Sequence, residues 1–132
     1  MTSLLSLIVS FFLFVQSPLV GIADADSIDT VISAIDNGSS ADLAKYFDSS
    51  ISLNVNGQQG DYSKNQAELV LKDFFKKNPS MGFTLVFRSE NNPSLSSYIG
   101  DYQSAQGLFK VFIKVSQHGA DFKIYSLEFV KG

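Results

Sequence analysis

The chain has no cysteine among its 132 residues. That absence excludes disulfides, thiolate metal sites, a catalytic thiol and an acylated N-terminal cysteine, and it leaves packing alone to hold the fold. Histidine occurs once, at His118. One imidazole without a neighbouring cluster does not make a zinc site, so neither a metal nor a cofactor is expected. A basic surplus is missing too: ten Lys and Arg against thirteen Asp and Glu give a formal net charge of −3, with a pI near 4.9. The cations are spread along the chain and gather nowhere to neutralise phosphates, so nucleic acid is not an expected partner. There is no G-x-S-x-G elbow, phosphate-binding loop, His-Glu helix motif or dinucleotide fingerprint.

What remains is an apolar, aromatic-rich chain, 45% hydrophobic and 13% aromatic, of a length that suits one packed domain. Its first segment runs apolar from Leu4 to Val15, breaks at Pro18 and reaches small residues at Ala23 and Ala25 on either side of Asp24. That layout predicts a signal peptide over residues 1–25, cleaved after Ala25, and a single domain over 26–132 that is secreted or periplasmic. Only the α-amino group supplies positive charge before Leu4. The competing expectation is an uncleaved N-terminal membrane anchor, because Leu4 to Ile22 is just long enough to span a bilayer.

Beyond Asp26 the pattern predicts helices first and strands afterwards. Ser27 caps a helix whose Ile28, Val31, Ile32 and Ile35 share one face, with Asp29, Ser33 and Asp36 turned to water and Asn37-Gly38 as the stop. A short second helix from Ser39 or Ser40 buries Leu43, Ala44 and Phe47. Ile51 to Asn56 alternates as a strand, with Ile51, Leu53 and Val55 on one side, and Gly57 to Gly60 reads as a turn. In the stretch "YSKNQAELVLKDFFKKNP", Ser63 and Gln66 form a capping box and Asn78-Pro79 ends the helix. At 100° per residue, Ala67, Val70, Leu71, Phe74 and Phe75 fall within an arc of about 140°, opposite Asn65, Lys72 and Lys76. Leu69 falls on the polar side.

After Pro79 the runs "FTLVFR", "SYIGDYQ", "LFKVFIKV" and "FKIYSLEF" predict a four-stranded antiparallel meander. A two-residue turn at His118-Gly119 would pair Val115 with Phe122 and Ile113 with Ile124. An unbroken ladder would then set Val111 against Ser126 and Phe109 against Glu128. A β-bulge near Tyr125-Ser126 is therefore expected, bringing Leu127 opposite Val111 and Phe129 opposite Phe109 and bending the sheet.

These parts predict an α+β fold, a cone with helices packed on a bent antiparallel sheet. Their order resembles the nuclear transport factor 2-like, cystatin-like cone superfamily. The stretch "ADLAKYFDSSISLNVNGQQGDYSKNQAELVLKDFFKKNP" resembles more narrowly the small secreted bacterial family called domain of unknown function 4783. Its matched residues, Lys45-Tyr46-Phe47, Tyr62-Ser63, Phe74-Phe75 and Asn78-Pro79, read as packing and capping. The resemblance implies a fold and a compartment and carries no mechanism.

In cones of that superfamily the long helix lies on the sheet and the open end often holds a pocket. Strand parity turns Phe83, Leu85 and Phe87, then Tyr98 and Tyr102, toward that interior. Tyr46, Tyr98 and Tyr102 are the candidate ligand-binding residues of a pocket rim, because a buried tyrosine needs a partner for its hydroxyl and favours the border with water. No catalytic residue is singled out. A cone-cavity enzyme of the isomerase or dehydratase type would need a carboxylate or histidine base inside an apolar pocket, for which Asp48 and Glu68 are the remaining candidates. Three functional classes stay open: a non-enzymatic ligand-binding or protein-interaction module, such a cavity enzyme, and a structural dimeric scaffold. The opposite strand parity puts Phe112 outside between Lys110 and Lys114, with Val86 and Ile99 on the same surface. That surface is an expected homodimer interface.

Overall fold

The computed structural model describes residues 27–132 apart from Pro93. The predicted signal peptide therefore lies outside the described residues. Among the described residues no helix is long and apolar enough to cross a membrane.

Helix α1, Ile28–Asp36, begins where the Ser27 side chain accepts from the Asp29 amide at 3.3 Å. It buries Ile28, Val31, Ala34 and Ile35. It stops because Gly38 takes a left-handed φ of 62°, which lets the Gly38 amide reach the Ile35 carbonyl at 3.0 Å and the Ser39 amide reach that of Ala34 at 2.9 Å. A five-residue helix, α2, follows at Ser40–Ala44 with Ser39 as its cap. Strand β1 covers Phe47–Val55 and strand β2 covers Gln58–Ser63. The two are joined by Asn56 and Gly57, with φ of 53° and 91°, the pair that a tight hairpin requires. The expected turn at Gly57 to Gly60 is thus corrected. The chain turns one residue earlier, and Gln58 to Gly60 belong to a strand whose Tyr62, paired with Ile51, packs against the core.

Helix α3, Lys64–Lys77, forms as its caps dictate. Both halves of the Ser63/Gln66 capping box are made, and the Asn78 amide closes the last turn on the Phe74 carbonyl. Ala67, Leu71, Phe74 and Phe75 are buried, Val70 packs partly buried against them, and Leu69 is 64% exposed. The meander is β3 (Ser80–Asn92), β4 (Leu95–Ser104), β5 (Gly107–His118) and β6 (Asp121–Lys131). One six-stranded sheet results, in the order β2-β1-β6-β5-β4-β3. All neighbours are antiparallel except β1 and β6, which run parallel.

The sheet is bent by extra residues. Along β3 the register against β4 shifts between Ser80 and Gly82, between Leu85 and Phe87, and between Ser89 and Asn92. Each shift adds length to one strand of the pair and curls the sheet. These shifts also blunt an exposed edge strand against unwanted pairing. The bulge at Val86 reverses the parity beyond it. Phe87, expected inside, instead pairs with outward-facing Ile99 and is 51% exposed.

The β5–β6 hairpin carries its bulge where it is expected, with Tyr125 as the extra residue between the pairs Val115–Ile124 and Lys114–Ser126. Its turn differs, because His118 pairs with Asp121 and the loop is Gly119-Ala120, with only Gly119 at positive φ. Leu127 accordingly opposes Ile113, and Phe129 opposes Val111. A displacement of two residues leaves each side chain on its expected face, so Val111, Ile113, Val115, Ile124, Leu127 and Phe129 are all buried.

The helices lie on the inner face, and among the described residues an aromatic cluster occupies the space between α3 and the sheet. The Phe74 ring sits 4.7 Å from that of Phe129, 5.1 Å from that of Phe109 and 5.9 Å from that of Tyr102, centroid to centroid. Phe75 completes the cluster against Tyr102 and Phe129. Closer to the β3 edge, the Phe83 ring lies over Gly100 so tightly that a Cβ there would come within 2.3 Å of it. Glycine is needed at that position because the ring occupies the space of a side chain.

Candidate functional site

Among the described residues the three tyrosines expected at a pocket rim are held in different surroundings. Tyr98 and Tyr102 both point inward from β4 and are buried, 3% and 0% exposed, with Gly100 and its covering Phe83 ring between them. The Tyr102 hydroxyl donates to the Asn78 carbonyl at 2.6 Å, an oxygen left free because α3 ends there. The Tyr98 hydroxyl donates to Glu90 Oε2 at 2.6 Å. The Arg88 guanidinium lies 5.9 Å from the Tyr98 ring centroid and contacts Glu90 at 3.5 Å. Burial pushes both phenols up to about 12, helped at Tyr98 by the bond to the Glu90 carboxylate. Both are therefore neutral hydrogen-bond donors that tie helix end and strand edge to the core.

Tyr46 is placed differently. It follows α2, half-buried, and lines a groove between α1 and α2 of about 280 Å³. Thr30, Ser33, Ala34 and Asn37 supply one wall at spacings of three and four residues, so they form a single stripe of α1. Asp42, Lys45 and Tyr46 supply the other wall. The gap exists because that α1 stripe carries only short side chains. The Tyr46 ring stands edge-to-face on Phe122, with centroids 6.1 Å apart and planes at 83°, and its carbonyl accepts from the Ile124 amide at 2.7 Å. Lys45 and Asp42 pair at 3.2 Å. The Lys45 ammonium, and then the Ser39 hydroxyl, hold the Asp42 carboxyl below its ordinary value. Sequence reasoning found Tyr46 and missed the rest of the groove; Ser33 is exposed, as expected, and its place in a wall depends on α2 lying opposite. The polar residues at 30, 33 and 37 are the signal that marks the stripe.

The remaining candidates scatter. Asp48 is half-buried and its Oδ1 accepts from the adjacent Ser49 amide at 2.8 Å. Glu68 is half-buried on α3. His118 is exposed at the end of β5. Among the described residues no three His, Cys, Asp or Glu side chains gather as metal ligands. The outward residues Ile99 and Phe112 pair in register, and both are half-buried. Phe87 extends their row on one side and Glu128 on the other. Val86 lies beside it, 53% exposed.

A helical layer on a bent sheet of this order is the cone fold of nuclear transport factor 2-like proteins. A nuclear transport factor 2-like protein of unknown function from Silicibacter pomeroyi superposes with a TM-score of 0.60 at 16% identity, over 80% of this chain and 89% of that one. A cystatin-like-fold domain of unknown function from Nostoc punctiforme gives 0.62 at 14% identity, over 79% and 72%. The family is narrower than the fold. Residues 28–129 match the model of the domain of unknown function DUF4783, and the chain belongs to that family. Its member from Bacteroides ovatus is 26% identical, with a TM-score of 0.73 over 78% of this chain and 93% of that one. The member from Bacteroides uniformis is 22% identical, with 0.75 over 79% and 95%. No curated protein matches the chain in sequence.

Proposed function

We propose that the chain is a non-enzymatic, exported binding module that works through its outer surfaces and not through a cone cavity. One observation carries this reading: the volume beneath α3 that a cavity enzyme would keep open is occupied by Phe74, Phe75, Tyr102, Phe109 and Phe129. General acid–base chemistry in such a cone needs a titratable base in a desolvated pocket. The buried titratable side chains among the described residues are the two tyrosines already bonded to Asn78 and Glu90. Export rests on the apolar segment and the small residues at Ala23 and Ala25. Soluble mature protein from the native host should begin near Asp26, and an intact Met1 in washed membranes would refute export.

A second copy of the chain is the partner that the outer face fits. Its apolar row Phe87-Ile99-Phe112 is bordered by Lys110, Asp101, Lys114 and Glu128, with Lys110 and Asp101 already paired. Both signs around one apolar strip make a surface complementary to itself under a two-fold axis. Analytical ultracentrifugation at micromolar concentration tests this: the wild type should sediment as a dimer and Phe112→Asp as a folded monomer. A wild-type monomer, or a Phe112→Asp dimer, would dispose of this interface.

A further inference from the structure

We infer that the groove between α1 and α2 binds a small, neutral, polyhydroxylated molecule of monosaccharide size. The inference rests on the reading of the chain as a binding module and gives that module a ligand class. Size is the first argument. About 280 Å³ lies just under the roughly 300–1,000 Å³ of sites for drug-sized ligands.

The lining is the second argument. Six of the seven lining residues, all but Ala34, carry polar side-chain atoms. Among the described residues the side chains of Ser33, Asn37 and Tyr46 make no hydrogen bond, whereas Thr30 Oγ1 is used toward the Ser27 carbonyl at 2.7 Å. A hydroxyl, an amide and a phenol are thus open, and together they both donate and accept, which is what a ligand bearing several hydroxyl groups requires.

The balance of charge favours a neutral ligand. The two charged residues of the lining, Asp42 and Lys45, are paired with each other, so the groove as a whole is neutral. An anion would have to draw Lys45 away from Asp42, and a cation would have to do the reverse. A neutral hydroxyl accepts from the one or donates to the other with the pair intact. The aromatic ring is the last argument, since a sugar has an apolar C–H face as well as hydroxyls, and Tyr46 offers the matching amphipathic surface. The ring packs against Phe122, and the Tyr46 main chain is held by the bond from the Ile124 amide. The α1 wall is fixed by Asp36, whose carbonyl accepts from Ser80 Oγ at 2.6 Å and whose Oδ1 accepts from the Phe83 amide at 2.9 Å. Little ordering is left for binding to oppose.

The test is an amide-shift titration of the purified, isotope-labelled protein with D-glucose, D-galactose and N-acetyl-D-glucosamine, and in parallel with phosphate, L-glutamate and L-lysine. At least one sugar should give saturable shifts at Ser33, Asn37 and Tyr46 with millimolar affinity. Tyr46→Ala should weaken this at least about tenfold, equivalent to about 1.4 kcal/mol. Ser33→Leu, a change at an exposed position that fills the groove, should do the same without loss of the folded spectrum. No saturable shift with any of the three sugars overturns the inference. Stronger shifts of the same amides by a charged probe overturn the ligand class and leave the binding-module reading standing. The sedimentation result for Phe112→Asp is independent of either outcome.

Discussion

Tyr102 and Tyr98 each combine a buried ring with one satisfied hydroxyl, which makes their protonation part of folding. In both, burial raises the folded-state value to about 12 from the ordinary 10.0. The stabilisation is therefore complete below pH 10, where both states hold the proton, and it is lost as the pH climbs from 10 toward 12 and only the unfolded chain ionises. Urea midpoints should fall over that window. Tyr102→Phe removes one of the two groups and the bond to Asn78, so below pH 10 it should be less stable by roughly 0.5–1.5 kcal/mol. Its deficit should shrink as the pH rises through the window. A deficit that stays constant from pH 8 to 12 would mean that Tyr102 ionises as freely folded as unfolded.

Among the elements, α3 bears most on the interior. Phe74 is 4% exposed and packs against four other rings, so Phe74→Ala should cost about 3–5 kcal/mol. Lys72→Ala, on the exposed face, should move stability by no more than about 0.5 kcal/mol. Near-equal denaturation midpoints would mean that this face is wrongly assigned. How much of each element was legible follows from where its information lies. Helix α3 carries its own signals, a capping box at Ser63 and a stop at Asn78-Pro79, and the structure reproduces them. Strand β2 carries none, since Gln58, Gln59 and Asp61 give no apolar alternation and the strand exists by pairing with β1. The parity of β3 was legible as far as Leu85 and failed at Phe87, because a bulge at Val86 depends on the strand opposite and leaves no local mark. Tyr125 announced its bulge only because the apolar residues of β5 and β6 could not otherwise meet. The groove was illegible for a related reason: Ser33 and Asn37 are exposed, as the pattern has them, and only α2 laid beside them supplies the second wall.

At the scale of the whole molecule, the proposed reading rests on the aromatic packing between α3 and the sheet. One fold can host many functions, so fold alone gives none. Here three aromatic positions on the sheet, Tyr102, Phe109 and Phe129, meet two on the helix, Phe74 and Phe75. On the proposed reading, binding falls to the groove by Tyr46 and to the outer row at Phe112. Xenon tests the packing directly, because dry apolar cavities take it up and filled cores do not. Crystals of the wild type under xenon pressure should show no site enclosed by α3 and the sheet. Phe74→Ala, which opens that space, should admit xenon beside Phe109 and Phe129. Xenon bound in the wild type among Phe74, Tyr102, Phe109 and Phe129 would show a hollow cone and contradict the account.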